Sequence, residues 1–196
     1  MSATTSMSRP ATATTTVRLP RAAVDIAVVV TAWAMVVAVA SAFPFAGSEV
    51  SRIALFIHLM SMAVGFGAVV MVDIYGLLWL FGHRTLADVM ALASAAHTVI
   101  ALGVGGLLAS GIALRPDLGS PLGRFKMVLV LVLMLNGVAA QRSLQRLCGA
   151  LPADTRGASI PWAGFQRVLA AALISQSTWW GAIAIGFITN TNRHAG

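Results

Sequence analysis

Charged side chains are scarce in this 196-residue chain, which has 13 basic and 6 acidic residues and is 58% hydrophobic. Soluble globular domains carry roughly 25% charged residues, whereas only 10% of this chain is charged. So few charges do not cover the water-facing surface of a soluble domain of this length, and the mean hydropathy of +0.86 agrees. The composition therefore excludes an ordinary soluble protein and indicates a protein embedded in a membrane.

Cysteine and the common catalytic motifs are also missing or nearly so. The single cysteine, Cys148, excludes a disulfide framework and any zinc or iron–sulfur site that needs several cysteines. The sequence has no phosphate-binding loop, no G-x-S-x-G turn, no H-E-x-x-H helix and no paired catalytic carboxylates. No reaction class is therefore indicated, and whether the protein is an enzyme stays open.

The net charge of +7 comes from 12 arginines and one lysine that are scattered along the chain without forming a run. Nucleic-acid binding usually needs a basic cluster or stripe, so nucleic acid is not expected as a partner. Basic residues between apolar blocks are typical of topology signals at a bilayer. We therefore expect the lipid bilayer to be the main partner.

Five apolar blocks follow a Ser/Thr-rich arm at residues 1–21, which we predict to be disordered and cytoplasmic. A helix needs about 20 residues to cross the hydrocarbon core, and backbone groups in lipid must be hydrogen-bonded within their own segment. The sequence therefore predicts an all-α polytopic membrane protein, a five-helix bundle over 22–189 with a tail at 190–196. The predicted helices are at about 22–43, 52–82, 86–114, 124–144 and 163–189. Thr85 followed by Asp88 predicts a capped N-terminus for the third of them.

The distribution of Lys and Arg predicts the orientation in a plasma (inner) membrane. With a cytoplasmic N-terminus, eight basic residues lie inside and five outside, which favours that orientation and an external C-terminus. A rival interpretation is a cleaved secretory signal, because Ala40-Ser41-Ala42 resembles a cleavage site after an apolar stretch. Asp25 and Trp33 interrupt that stretch and argue against cleavage.

Ionisable residues at membrane depth are costly and are therefore candidates for function. Asp73 and His97 lie about 15–17 Å from the turn between helices two and three, on neighbouring antiparallel helices. Their equal depth predicts a neutralised pair, either a structural pair or a proton relay. Asn136 and Gln176 also lie within the apolar blocks, and we expect them to form hydrogen bonds between helices.

His58 and Lys126 are both predicted near the outer ends of their helices. His58 and His97 differ in depth by roughly 20 Å, which argues against their being the two axial ligands of one haem unless helix two is strongly bent. His58 and Met62 are at i,i+4 spacing and form a candidate soft-metal pair for Cu(I). The alternatives are an interfacial histidine at His58 and a snorkelling cation at Lys126.

The remaining pattern is mainly structural. Small residues on helices two and three predict close backbone packing; they are Gly65, Gly67, Gly103, Gly105, Gly106, Ser110 and Gly111. Trp79 and Trp162 predict an aromatic belt at the inner membrane surface.

Two stretches resemble a known family. Residues 57–67, IHLMSMAVGFG, resemble the His-then-Gly helix of bacterial copper-resistance D-type membrane proteins. Residues 110–130 resemble that family's second signature, in which a small residue and Gly end one helix and a Gly-Arg…Lys segment opens the next. Arg142 also fits the pattern, and the resemblance covers helices two to four. The membrane-type, haem-binding protoporphyrinogen oxidases have a similar plan.

The resemblance implies that His58 and Lys126 form a cofactor site, with haem b or copper as the group bound. The function expected from it is copper passage or membrane redox chemistry. Two alternatives remain at this point. One is a non-catalytic subunit that binds a membrane-protein partner or a second copy of itself, and the other is a small proton-coupled carrier that uses Asp73 and His97.

Overall fold

The structure, a computed structural model, describes residues 21–42, 47–157 and 160–194. These residues form five α-helices and no strand, and all five helices are long and apolar enough to cross a membrane. The chain is therefore an all-α, multi-pass membrane protein, as the sequence predicts. The predicted arm, apart from Arg21, and the last two residues of the tail lie outside the described residues. The helices are α1 (Arg21–Ala42), α2 (Ser48–Leu80), α3 (Leu86–Leu114), α4 (Pro121–Ala150) and α5 (Trp162–His194).

The helix ends follow from local sequence. Thr85 and Asp88 form a reciprocal capping box at the start of α3: Thr85 Oγ1 accepts from the Asp88 N–H at 3.3 Å, and Asp88 Oδ2 accepts from the Thr85 N–H at 2.9 Å. This cap was predicted from the sequence and is confirmed. Ser120 caps α4 by accepting from the Gly123 N–H, and Pro121 occupies the first turn, where its missing N–H costs nothing.

The helix α4 is longer than the sequence predicts, ending at Ala150 and not near residue 144. Its last turns are less apolar, so hydropathy alone ends the helix too early. Leu144, Leu147 and Cys148 pack from these turns against a buried cluster. The helix continues because its final turns bury this apolar side.

The closest helix contact is between α2 and α3. A Cβ added at Gly103 would come within 2.5 Å of the Gly65 Cα atom, so the two backbones nearly touch. A Cβ at Gly106 would likewise collide with the Ser61 side chain. Close packing is thus confirmed at these glycines, whereas a Cβ at Gly105 meets nothing within 4 Å.

A buried cluster closes the end of the bundle that contains the α2–α3 turn. Its members are Trp79, Leu80, Leu86 and Val89. The segment after α4 folds over this cluster: the Thr155 carbonyl accepts from Trp79 Nε1 and from the Leu86 N–H, both at 2.9 Å. These bonds satisfy an indole donor and one of the N–H groups that a helix start leaves without a partner in its own helix.

The aromatic-belt prediction fails for Trp79 and stays a prediction for Trp162. Trp79 is 1% exposed because its ring lies in the cluster and its indole N–H is bonded to the protein backbone. Trp162 is 68% exposed and stacks on Phe165.

The helix α1 is attached to α4 by three polar contacts, one of which joins Arg142 Nη2 to the Arg21 carbonyl at 3.1 Å. Arg142 Nη2 lies 2.7 Å from Asp25 Oδ2, and Trp33 Nε1 donates to the Met127 carbonyl at 3.0 Å. Asp25 thus has a charged partner on another helix. A hydrogen bond from Asn136 Nδ2 to the Ala171 carbonyl joins α4 to α5, as predicted for Asn136.

Candidate functional site

His58 is held by a buried serine on the neighbouring helix. Its Nδ1 atom lies 3.0 Å from Ser110 Oγ, and Ser110 is 5% exposed. Ser110 Oγ is also 2.5 Å from the Gly106 carbonyl of its own helix. A hydroxyl has one proton to donate, and a carbonyl can only accept. Ser110 therefore donates to Gly106, and His58 Nδ1–H donates to Ser110.

This arrangement selects one tautomer of the neutral imidazole. With the proton on Nδ1, the other ring nitrogen of His58, Nε2, has a lone pair. A metal-ligating histidine is usually oriented in this way, with its second nitrogen bonded to a protein acceptor. The site chemistry of His58 is thus that of a pre-oriented nitrogen ligand.

A glycine of α3 lies beside the His58 ring. A Cβ added at Gly111 would lie 4.0 Å from His58 Cε1, so the imidazole lies directly beside the glycine. The close approach at Gly65 and Gly103, farther along the same two helices, brings α2 near enough to α3 for the hydrogen bond to Ser110.

Lys126 is on α4, at the same end of the bundle as His58. Its ammonium group is within range of a charge–charge interaction with the His58 imidazole. Lys126 Nζ also lies 3.6 Å from the place that a Cβ on Gly186 of α5 would take. The structure therefore brings His58 and Lys126 into one region, to which α2, α3, α4 and α5 all contribute.

The residues of this region fit some ligands better than others. In the described part of the chain, no three or more His, Cys, Asp or Glu residues group as metal ligands. A bare copper ion would have His58, with Met62 one turn further along α2, and the positive Lys126 nearby, which is unfavourable for a cation. A metal carried in an organic ring with carboxylate groups suits both residues, because Nε2 can bind the metal and the ammonium can bind a carboxylate.

The structure does not bring Asp73 and His97 together. Asp73 Oδ2 accepts from Gln176 Nε2 of α5 at 2.8 Å, while the His97 side chain is exposed on α3. Among the described residues, no hydrogen bond or ion pair joins the two. Equal depth along two helices does not fix the direction in which each side chain points around its helix. Asp73 faces α5, and the relay with His97 has no geometric basis.

Sequence reasoning missed the partner of Asp73, although it predicted an interhelical hydrogen bond for Gln176. Next to Gln176 on α5, Ser175 and Thr178 are buried, and so is the Trp179 ring, which packs 5.2 Å from the Phe66 ring of α2. The sequence feature that could have identified this partner is the polar Ser175-Gln176 pair within an apolar block. Gly186, beside Lys126, carries no such signal.

Compared with protein-family models, with curated proteins and with solved structures, the chain has no match.

Proposed function

We propose that this membrane protein binds haem at the His58–Lys126 region and takes part in membrane redox chemistry. The observation that carries the proposal is the hydrogen bond between His58 Nδ1 and the buried Ser110, which orients the imidazole and favours the tautomer with a lone pair on Nε2. Haem iron is commonly held by one histidine nitrogen in this state. The resemblance of α2 to copper-resistance D-type proteins supports a metal-associated role but does not by itself choose the metal.

Lys126 favours haem over a bare copper ion. An ammonium near His58 repels a metal cation, yet it stabilises the carboxylate groups at the edge of a haem. Gly111 lies beside the His58 ring and Gly186 beside the Lys126 ammonium.

The chain's residues have separate tasks in this proposal. His58 would bind the iron and Lys126 would orient the carboxylates, while Ser110 fixes the imidazole and its tautomer. When bound, haem supplies one-electron chemistry.

The first test is the visible spectrum and metal content of the purified protein, wild type and with His58→Ala. We expect a Soret band in the wild type that His58→Ala abolishes. His97→Ala is the matched control, because His97 is an exposed histidine on the neighbouring helix, and it should leave the band unchanged. Stoichiometric copper without a Soret band would show that the site binds copper and not haem. Equal loss of the Soret band in His58→Ala and His97→Ala would contradict the assignment of His58.

Two further variants separate the supporting roles. Ser110→Ala should lower haem affinity about 10- to 100-fold, as loss of such an orienting partner usually does. Ser143→Ala is its control, since the Ser143 hydroxyl, on α4, likewise donates to a carbonyl of its own helix but lies 17 residues from Lys126, outside the proposed site. Lys126→Gln should weaken haem binding while leaving the spectrum of the bound fraction unchanged, because it does not touch the iron. Unchanged affinity in both Ser110→Ala and Lys126→Gln would overturn the proposed site.

A further inference from the structure

Asp73 differs from the other five carboxylates of the chain in its surroundings. Three of these lie at helix ends or turns with partners that favour a negative charge: Asp25 with Arg142, Glu49 with Arg52, and Asp88 with the Thr85 N–H. Asp117 accepts from the N–H groups of a turn, and Asp154 is exposed in the segment after α4. Asp73 alone lies well inside a helix, seven residues before the last residue of α2.

The partners of Asp73 are neutral groups of α5, the Gln176 amide and the Ser175 hydroxyl. Gln176 Nε2 donates to Asp73 Oδ2, and the hydroxyl of the buried Ser175 is next to Gln176 on the same helix. No ion pair with Asp73 occurs among the described residues.

Charged and titratable groups on the surrounding helices are distant or turned away. On α5 the nearest charge along the chain is Arg167, nine residues before Gln176, or about 13 Å along the helix axis. On α3, His97 is exposed. On α2, the Tyr75 ring contacts the Arg84 guanidinium, so both side chains are directed toward the α2–α3 turn and not toward Asp73.

A carboxylate inside the membrane needs either a cation or a proton, because its isolated negative charge is poorly solvated there. We infer that Asp73 and Gln176 form a proton-binding site between α2 and α5. The carboxylate takes up one H⁺ to become the acid, with the proton on the oxygen that does not accept from Gln176. The Gln176 amide bonds to Oδ2 in both forms, so the site holds its geometry as the proton enters and leaves.

This site is separate from the haem region. Asp73 and His58 are 15 residues apart on α2, which is about 22 Å along the helix. The proton site therefore does not depend on haem binding, and the two proposals fail independently.

Infrared spectroscopy of the full chain in lipid vesicles tests the inference, because a protonated carboxylic acid has a carbonyl band that a carboxylate lacks. At neutral pH we expect this band in the wild type, its loss in Asp73→Asn and its retention in Asp25→Asn. Gln176→Leu should keep the band and move it to higher frequency, since the carbonyl oxygen loses its donor. In the wild type the band should disappear as the pH is raised.

Three results would overturn the inference: no acid band at neutral pH, the same band in Asp73→Asn, or loss of the wild-type band on adding NaCl at constant pH. The last would show an alkali-cation site in place of a proton site. The wild-type titration and Gln176→Leu do not depend on the folding of Asp73→Asn.

Discussion

Trp79 and Trp162 are both predicted to lie in the inner aromatic belt, yet the structure gives the two tryptophans different surroundings. Trp79 is buried and donates to the Thr155 carbonyl, so its ring stabilises the cluster and its N–H holds the segment after α4. Trp162 is exposed and stacks on Phe165 at the surface. Burial, and not residue type, decides the stability that each contributes.

We therefore predict that Trp79→Phe lowers the free energy of unfolding by about 1–3 kcal/mol, because the change removes a buried hydrogen bond and part of a buried ring. Trp162→Phe is the matched control and should change it by less than about 0.5 kcal/mol. Unfolding in mixed detergent micelles, followed by circular dichroism, measures both. Similar values for the two variants would show that Trp79 does not hold the cluster.

At the scale of elements, the pairing of α2 with α3 depends on the absence of side chains. Gly65 and Gly103 let the two backbones approach within van der Waals contact, which in lipid is the main source of helix association. The same approach brings His58 within hydrogen-bond distance of Ser110. The geometry of the proposed ligand is thus a consequence of helix packing elsewhere along α2 and α3.

Gly103→Ala should lower the free energy of unfolding by about 1–3 kcal/mol, because overpacking forces the helices apart. Gly105→Ala is the control on the same helix: its new methyl group meets nothing within 4 Å, so it reports the gain in helix propensity alone. The same unfolding assay compares the two. If Gly103→Ala were as stable as Gly105→Ala, the close crossing would be disproved.

At the scale of the whole molecule, five spanning helices put the start of α1 and the end of α5 on opposite sides of the bilayer. Which side is cytoplasmic is a prediction from the Lys and Arg distribution. It puts the α2–α3 turn and the segment after α4 inside, and the α3–α4 turn with Asp117 outside.

Cysteine labelling in intact cells measures this orientation. In a Cys148→Ser background, we expect Asp117→Cys to react with a membrane-impermeant thiol reagent without permeabilisation. Asp154→Cys should react only after permeabilisation, and it serves as the internal control because it lies at the opposite end of the bundle. The reverse labelling pattern would show the inverted orientation.

The sequence alone predicted the elements of this fold. Long apolar blocks have only one way to satisfy their backbone in lipid, so five helices follow from composition, and the Thr85–Asp88 cap follows from neighbouring residues. The sequence prediction ends α4 too early, because packing of Leu144 and Leu147, and not hydropathy, sets the length of this helix.

What the tertiary structure alone decided is the direction of each polar side chain. Depth along a helix can be counted from the sequence, but rotation about its axis depends on which neighbour packs closest. The sequence therefore identified Asp73 and His58 as candidates, yet the contact with Gln176 on α5 and the hydrogen bond to Ser110 on α3 required the packed bundle. The reason is physical: in a membrane, apolar surface does not distinguish neighbour from lipid, so small-residue contacts set the helix faces.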